Sequence, residues 1–284
     1  PTDFRNARGI GLIWPQPFLR KWVAACKATL LKGLTDMFVA ASTRCFSEKG
    51  FAEACHLITD LEFDKVELWF DDNSQHLRPS EVVKNIEGFF SQYREATRLT
   101  PVAFTLEHDV PPAVLHDLCK LAKLMRVAQI TVPASSLGTP FNEEIDRLRT
   151  FVRLANEETI RLSIKTRTGT LTEDPRTAVE LCQSVRGLGL TLDPSFYLCG
   201  PHSSRGIDSL IPHVFHVQLR DSTPNQIQVQ VGLGELDYTR LISQLHKENY
   251  DRILSVELFP ELYDAEINRL LEMRKLRMLL ETLL

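Results

Sequence analysis

The sequence has no basic excess: 33 Lys and Arg stand against 37 Asp and Glu, a formal net charge of -4. Bulk attraction to nucleic-acid phosphate or an anionic membrane needs the opposite balance, so neither partner is expected. There is also no C-x-x-C pair. The cysteines at 26, 45, 55, 119, 182 and 199 show no short metal-type spacing, and they read as reduced thiols of an intracellular protein. No nearly uncharged stretch reaches the roughly 20 residues of a spanning helix, and the opening residues do not resemble a signal peptide. A soluble cytoplasmic protein is expected. Hydrophobic residues at 43% and charged residues at 25% exclude a disordered chain.

Residues 1–36 stand apart. Trp14, Pro15 and Pro17 break this segment before a helical run over 18–31, whose apolar positions Trp22, Val23, Leu30 and Leu31 predict an appended helical arm. From residue 37 onward, short β-rich runs alternate with helical runs, as repeated βα units around a parallel sheet require. Strands are predicted over 37–42, 65–70, 102–106, 127–132, 161–166, 188–192, 214–219 and 253–257. Helical stretches are predicted over 51–61, 80–98, 112–124, 142–156, 175–184, 238–247 and 265–284, with an irregular segment around 207–210. Eight strands, each followed by a helical segment, predict an α/β fold closed as a single (β/α)8 barrel over residues 37–284. Chemistry in such a barrel sits at the C-terminal ends of the strands.

Those ends are polar on otherwise apolar runs. They include Glu67 to Asp72, Glu107-His108-Asp109, Lys165-Thr166-Arg167, Asp193 to Phe196, His216 to Asp221, and Glu257. Charges at the edge of a hydrophobic barrel are costly unless paired or solvated, so their concentration favours a site. Surface loops are polar anyway, which accounts for a share of them.

The runs LGLTLDPSFY, VFHVQLRDS, VGLGELDYTRLISQL and YDRILSVELFP, with DKVELWFDD earlier, are together similar to the xylose-isomerase-like barrels. That family includes sugar-phosphate isomerases and epimerases, hydroxypyruvate isomerase and endonuclease IV. The resemblance spans roughly residues 37 to 275. It implies a divalent metal, Mg²⁺ or Mn²⁺, held by side chains from strands five to eight, with Asp193, Gln218 and Glu257 as the ligands from the last three. Gln218 stands where many relatives have His, and its amide oxygen suits such hard cations.

Strand five departs from that pattern. Where relatives place a carboxylate, this chain has Lys165; Phe196 stands where many relatives have His. An ammonium beside a metal ion is repelled, whereas beside Asp193 and Glu257 it supplies the cation that two facing carboxylates need. Lys165 is therefore expected to form a salt-bridged cluster with Asp193 and Glu257, with no metal as the first expectation and Mg²⁺ or Mn²⁺ as the alternative. Carboxylate neighbours keep an amine protonated, which argues against Lys165 as a nucleophile.

Around this centre, Arg220 and Arg167 are candidates for binding an anionic group bidentately, although Arg220 has a local alternative in pairing with Asp221 or Glu235. His216 shares a strand face with Gln218; as a lone strand histidine it reads more readily as a core residue than as a ligand. His108 is a candidate pocket residue, as is His202 in the loop after strand six. Trp69 and Phe196 offer apolar walls for a sugar ring face. Gly232 and Gly234 read as a turn rather than a dinucleotide fingerprint.

The expected function is that of a sugar-phosphate isomerase or epimerase-like protein acting on or binding a small polyhydroxy carbonyl compound. Catalysis, if present, is proton removal and return by carboxylates, with Glu257, Asp193 and Lys165 at the centre. The alternative is a non-catalytic barrel that binds a small molecule after losing metal and activity. Abasic-site DNA cleavage is disfavoured, because these strand ends supply too few ligands for a multi-metal cluster.

Overall fold

In the computed structural model, residues 37–263 and 265–284 are described, and the expected arm over 1–36 lies outside them. Eight parallel strands close in sequential order. They are β1 (Phe38–Ser42), β2 (Lys65–Phe70), β3 (Thr100–Leu106), β4 (Gln129–Val132), β5 (Arg161–Lys165), β6 (Leu188–Leu192), β7 (Val214–Leu219) and β8 (Ile253–Val256). Closure runs through β1 and β8, where Phe38 pairs with Ile253 and Ala41 with Val256. The helices between them are α1 (Phe51–Asp60), α2 (Pro79–Val82), α3 (Ile86–Ala96), α4 (Pro112–Leu124), α5 (Phe141–Glu157), α6 (Pro175–Ser184), α7 (Pro194–Leu198), α8 (Tyr238–Lys247) and α9 (Glu266–Leu283).

Side chains alternate across each strand, and this divides the interior into two chemistries. Val66, Leu68 and Phe70 of β2, Leu162 and Ile164 of β5, and Val217 and Leu219 of β7 belong to the main apolar core. The intervening residues turn into the barrel, where Thr131, Ser163 and Thr191 form a buried hydroxyl mesh. Thr191 lies 2.7 Å from Thr131 and 2.6 Å from Ser163, and the Gln129 amide donates to Ser163 at 2.6 Å. Buried polar atoms must find partners, so these short hydroxyl contacts keep the barrel floor from costing stability. Above the mesh, the next inward layer carries the charged residues.

Local signals set several helix starts. Pro112 and Pro175 occupy first-turn positions, and Asp174 and Asp237 cap α6 and α8 by accepting from the N–H groups of Arg176 and Arg240. One segment differs from expectation. The helix expected over 80–98 is broken into α2, a 3-10 turn (Val83–Asn85) and α3. Asn85 leaves helical geometry at φ -148° and restarts the helix, its side chain accepting from Gly88 N–H. After β6, α7, capped by Asp193, is followed by 3-10 turns over Ser203–Arg205 and Ile211–His213, and residues 207–210 between them are irregular, as expected.

Five described cysteines are unpaired. Burial pushes the thiols of Cys45, Cys55, Cys119 and Cys182 up to about 12, which makes them inert packing groups. Among the described residues, no helix is long and apolar enough to cross a membrane.

Candidate functional site

At the C-terminal end of the barrel, β5, β6, β7 and β8 converge on a four-membered charge cluster. Lys165, the last residue of β5, donates from Nζ to both carboxylate oxygens of Glu257 at 2.8 Å. Arg220, just past β7, donates from Nη2 to Glu257 Oε2 at 2.6 Å and from Nε to the Glu257 main-chain oxygen at 3.0 Å. Its Nη1 lies 2.6 Å from Asp193 Oδ2, an ion contact that is not aligned as a hydrogen bond. Asp193, Arg220 and Glu257 are 0% exposed and Lys165 is 6% exposed. Charges this deeply buried persist only when paired, and two cations here meet two carboxylates. Burial raises the Asp193 carboxyl above its ordinary value, with the Glu257 charge adding to it; Arg220 and Lys165 offset this only in part.

Aromatic rings cover the cluster. The Arg220 guanidinium lies 3.8 Å from the centre of the Phe259 ring and 5.5 Å from that of Phe196. The loop that follows Arg220 is held by Asp221, whose carboxylate accepts from the N–H groups of Ser222, Gly232 and Gly234. Gly232 adopts φ +92°, and a Cβ on Gly234 would lie 1.9 Å from Asp221 Oδ1, so both glycines are needed for this turn.

One layer deeper, Gln218 donates its amide to Glu67 Oε1 at 2.6 Å. The other Glu67 oxygen lies 3.0 Å from His216 Nε2, which is also 3.0 Å from the Ser255 hydroxyl. Burial alone would raise the Glu67 carboxyl. The His216 charge and hydrogen bonds from His216, Ser255 and Thr105 outweigh it and hold the group down at about 2.

Toward β1, β2 and β3 the mouth opens. Glu107, just past β3, accepts from Trp69 Nε1 at 2.9 Å and from Arg167 at 2.7 Å. Burial works against its ionisation, yet the charges of Lys165 and Arg167, with the Arg167 and Trp69 hydrogen bonds, hold it at about 2. The Arg44 guanidinium sits between the rings of Trp69 at 4.8 Å and Phe259 at 5.2 Å and donates to Glu261. A cavity of about 570 Å³ lies here, lined among others by Arg44, Trp69, Asp71, Glu107, His108 and Glu261.

The structure thus brings Lys165, Asp193, Gln218, Arg220, His216 and Glu257 to the barrel centre, with Phe196 against it. Trp69 and His108 line the open cavity, Trp69 at 3% exposure with one face beneath Arg44. The local pairing offered for Arg220 is not adopted: its partners are Asp193 and Glu257. The Asp221 carboxylate is held instead by the N–H groups of Ser222, Gly232 and Gly234. Lys165 pairs with Glu257, while the close partner of Asp193 is Arg220. Arg167 is engaged by Glu107 and keeps 42% side-chain exposure. His202 faces Glu173 at 3.7 Å. Glu67 and Arg44 stand at strand ends in the sequence, but neither is given a role there. The signal for Glu67 was an acid inside the apolar run KVELWF; Arg44 carried none beyond its place at a strand end.

A family model described as a xylose isomerase-like TIM barrel matches residues 55–275. The chain belongs to this family. No curated protein matches it. Among solved structures it is similar to the probable 3-DHS dehydratase AsbF involved in petrobactin synthesis from Bacillus anthracis, at 19% identity over 84% of this chain and 98% of that one, with a TM-score of 0.64. It is also similar to a D-tagatose 3-epimerase-like protein, at 16% identity over 87% and 98%, TM-score 0.67. A xylose isomerase-like TIM barrel protein from Mycobacterium smegmatis, in complex with magnesium, matches at 14% identity over 88% and 97%, TM-score 0.68. At these identities the likeness is one of fold.

Proposed function

We propose that this xylose isomerase-like barrel binds a small polyhydroxy carbonyl compound at its mouth, and that it does so without the divalent ion the family resemblance implies. The observation that carries this reading is the state of Glu257. Both of its oxygens face Lys165, and one also faces Arg220. A carboxylate so engaged and 0% exposed has no free oxygen to abstract a proton from a substrate, and an ion bound to it would sit beside two fixed cations. Gln218 donates its amide N–H to Glu67, while its amide oxygen, the atom that would ligate a metal, is buried without a partner and is, among the described residues, the one free oxygen this site offers an ion. Among the described residues, no three His, Cys, Asp or Glu side chains converge as a metal-binding group. The two fixed cations on Asp193 and Glu257 are what argue against Mg²⁺ or Mn²⁺ at this site.

A sugar-like ligand suits the open cavity. Its wall alternates acceptors, Asp71, Glu107 and Glu261, with the Arg44 donor and the Trp69 ring, a mixture that hydroxyl groups satisfy from both directions. The D-tagatose 3-epimerase-like neighbour supports the same ligand class. An anionic group on the ligand would meet the exposed part of Arg167 rather than Arg220, which is sealed. Unpaired buried cysteines support a cytoplasmic setting.

The second reading, an active isomerase or epimerase, keeps Glu257 and Asp193 as proton-transfer groups and requires the Lys165 clamp to open. A thermal-shift screen of ketoses, aldoses and their phosphate esters, with and without EDTA, separates the readings. A ligand-dependent rise in Tm that EDTA leaves unchanged supports metal-free binding. A rise that vanishes with EDTA and returns with Mn²⁺, accompanied by turnover, supports the enzyme.

A further inference from the structure

Charge counting at the barrel centre separates the roles of its two cations. A divalent ion between Asp193 and Glu257 would bring two positive charges to two negative ones. Lys165 and Arg220 bring the same two charges as fixed side chains. Their division of labour is unequal. Lys165 reaches Glu257 alone, whereas Arg220 spans both carboxylates, with Nη1 at Asp193 and Nη2 at Glu257, each at 2.6 Å. Arg220 is also the more firmly installed of the two. It is 0% exposed, its Nε is tied to the Glu257 main chain at 3.0 Å, and its flat face lies 3.8 Å from the centre of the Phe259 ring.

We infer that Arg220, rather than Lys165 alone, is the group that bars a divalent ion from this barrel, the two side chains together replacing the ion charge for charge. Restoring a carboxylate at the β5 position leaves the guanidinium bridge between Asp193 and Glu257 in place, so Lys165→Glu by itself regains metal binding poorly. Removing the Arg220 charge as well leaves three carboxylates and the Gln218 amide, an oxygen-rich set suited to Mn²⁺. This inference rests on the metal-free part of the proposal above and is independent of which small molecule binds.

The test is Mn²⁺ binding to the purified full chain, read as loss of the free-ion electron paramagnetic resonance signal. Four proteins are compared: wild type, Lys165→Glu, Lys165→Glu/Arg220→Gln and Lys165→Glu/Arg220→Lys. The expected order is no binding by wild type, weak binding by the single variant, and at least about tenfold tighter binding by the Gln-containing double variant, because one like charge is gone from a buried site. The Lys-containing double variant keeps that charge and is expected to stay within about threefold of Lys165→Glu on the same electrostatic ground. Circular dichroism checks that each variant is folded. Stoichiometric Mn²⁺ binding by wild type overturns the inference and needs no variant. Equal affinity in the Gln and Lys double variants also overturns it, since charge would then not be what excludes the ion. Full recovery in Lys165→Glu alone assigns the exclusion to Lys165 and likewise overturns it. Absence of any stabilising sugar in the thermal-shift screen, with this order of Mn²⁺ affinities intact, sinks the ligand reading and leaves the inference standing.

Discussion

Gln228 grips Phe259 by both of its main-chain polar atoms: its Nε2 donates to the Phe259 oxygen at 3.1 Å, and its Oε1 accepts from the Phe259 N–H at 2.7 Å. The side chain acts here as a strand neighbour would, and it fixes a ring that lies 3.8 Å from the Arg220 guanidinium and 5.2 Å from that of Arg44. A glutamine in the loop after β7 thereby sets the position of the lid over the charge cluster.

Gln228→Ala removes both hydrogen bonds. At about 1 kcal/mol each, the expected loss of stability is about 2 kcal/mol by urea denaturation. Hydrogen exchange is expected to accelerate at Phe259, whose amide loses its acceptor. Unchanged exchange there would show that the ring is held by its stacking alone.

Lys165→Met leaves Glu257 buried with Arg220 as its remaining charged partner. Breaking a buried ion pair from one side costs about 3–5 kcal/mol, reduced in this cluster by the second cation. Glu257→Gln in the same background is expected to recover part of the loss, because one carboxylate in excess of the single remaining cation, Arg220, is what costs stability. A double-mutant cycle measures the coupling, expected above about 1 kcal/mol for residues in direct contact.

Acid sensitivity follows from Glu67 and Glu107. Both carboxyls are held at about 2 in the fold against an ordinary 4.5, so the stability they add is fully present above the ordinary value and is lost as pH falls toward 2. Asp193 has the opposite sign: its raised value makes the charged form unfavourable in the fold and relieves that cost as pH falls. Glu144, Glu158 and Asp174 are also held below their ordinary values, so five lowered carboxyls stand against one raised and stability is expected to fall between about pH 5 and pH 2. Glu107→Gln should flatten this limb in a series of denaturation curves, and an unaltered limb would rule out Glu107 as a contributor.

Gly234→Ala would place a methyl group 1.9 Å from the Asp221 carboxylate, which three main-chain N–H groups already hold in place. The loop after β7 must shift, at an expected cost of about 1–3 kcal/mol. A Tm equal to that of the wild type would show that the turn has room to yield.

The barrel was legible because its strands are short apolar runs with clear boundaries. Lys65–Phe70, Leu188–Leu192 and Val214–Leu219 fall where the sequence predicts them. The break at Asn85 was not, since a capping residue inside a helical pattern competes with helix continuation only through the Gly88 contact. At the site, Lys165 declared itself by standing where the family resemblance implies a carboxylate. The partners of Arg220 did not, because the adjacent Asp221 is taken up by the main chain of its own loop, while Asp193 and Glu257 arrive from the ends of β6 and β8. The Glu67 pairing with His216 is likewise invisible to sequence periodicity: it crosses the barrel from β2 to β7.

The most direct test is a crystal soaked in Mn²⁺, with diffraction data collected at the manganese absorption edge. The account predicts no anomalous peak among Asp193, Gln218 and Glu257, with the Lys165 amine still in contact with Glu257. A strong peak coordinated by those three side chains, with Lys165 and Arg220 turned away, would contradict it.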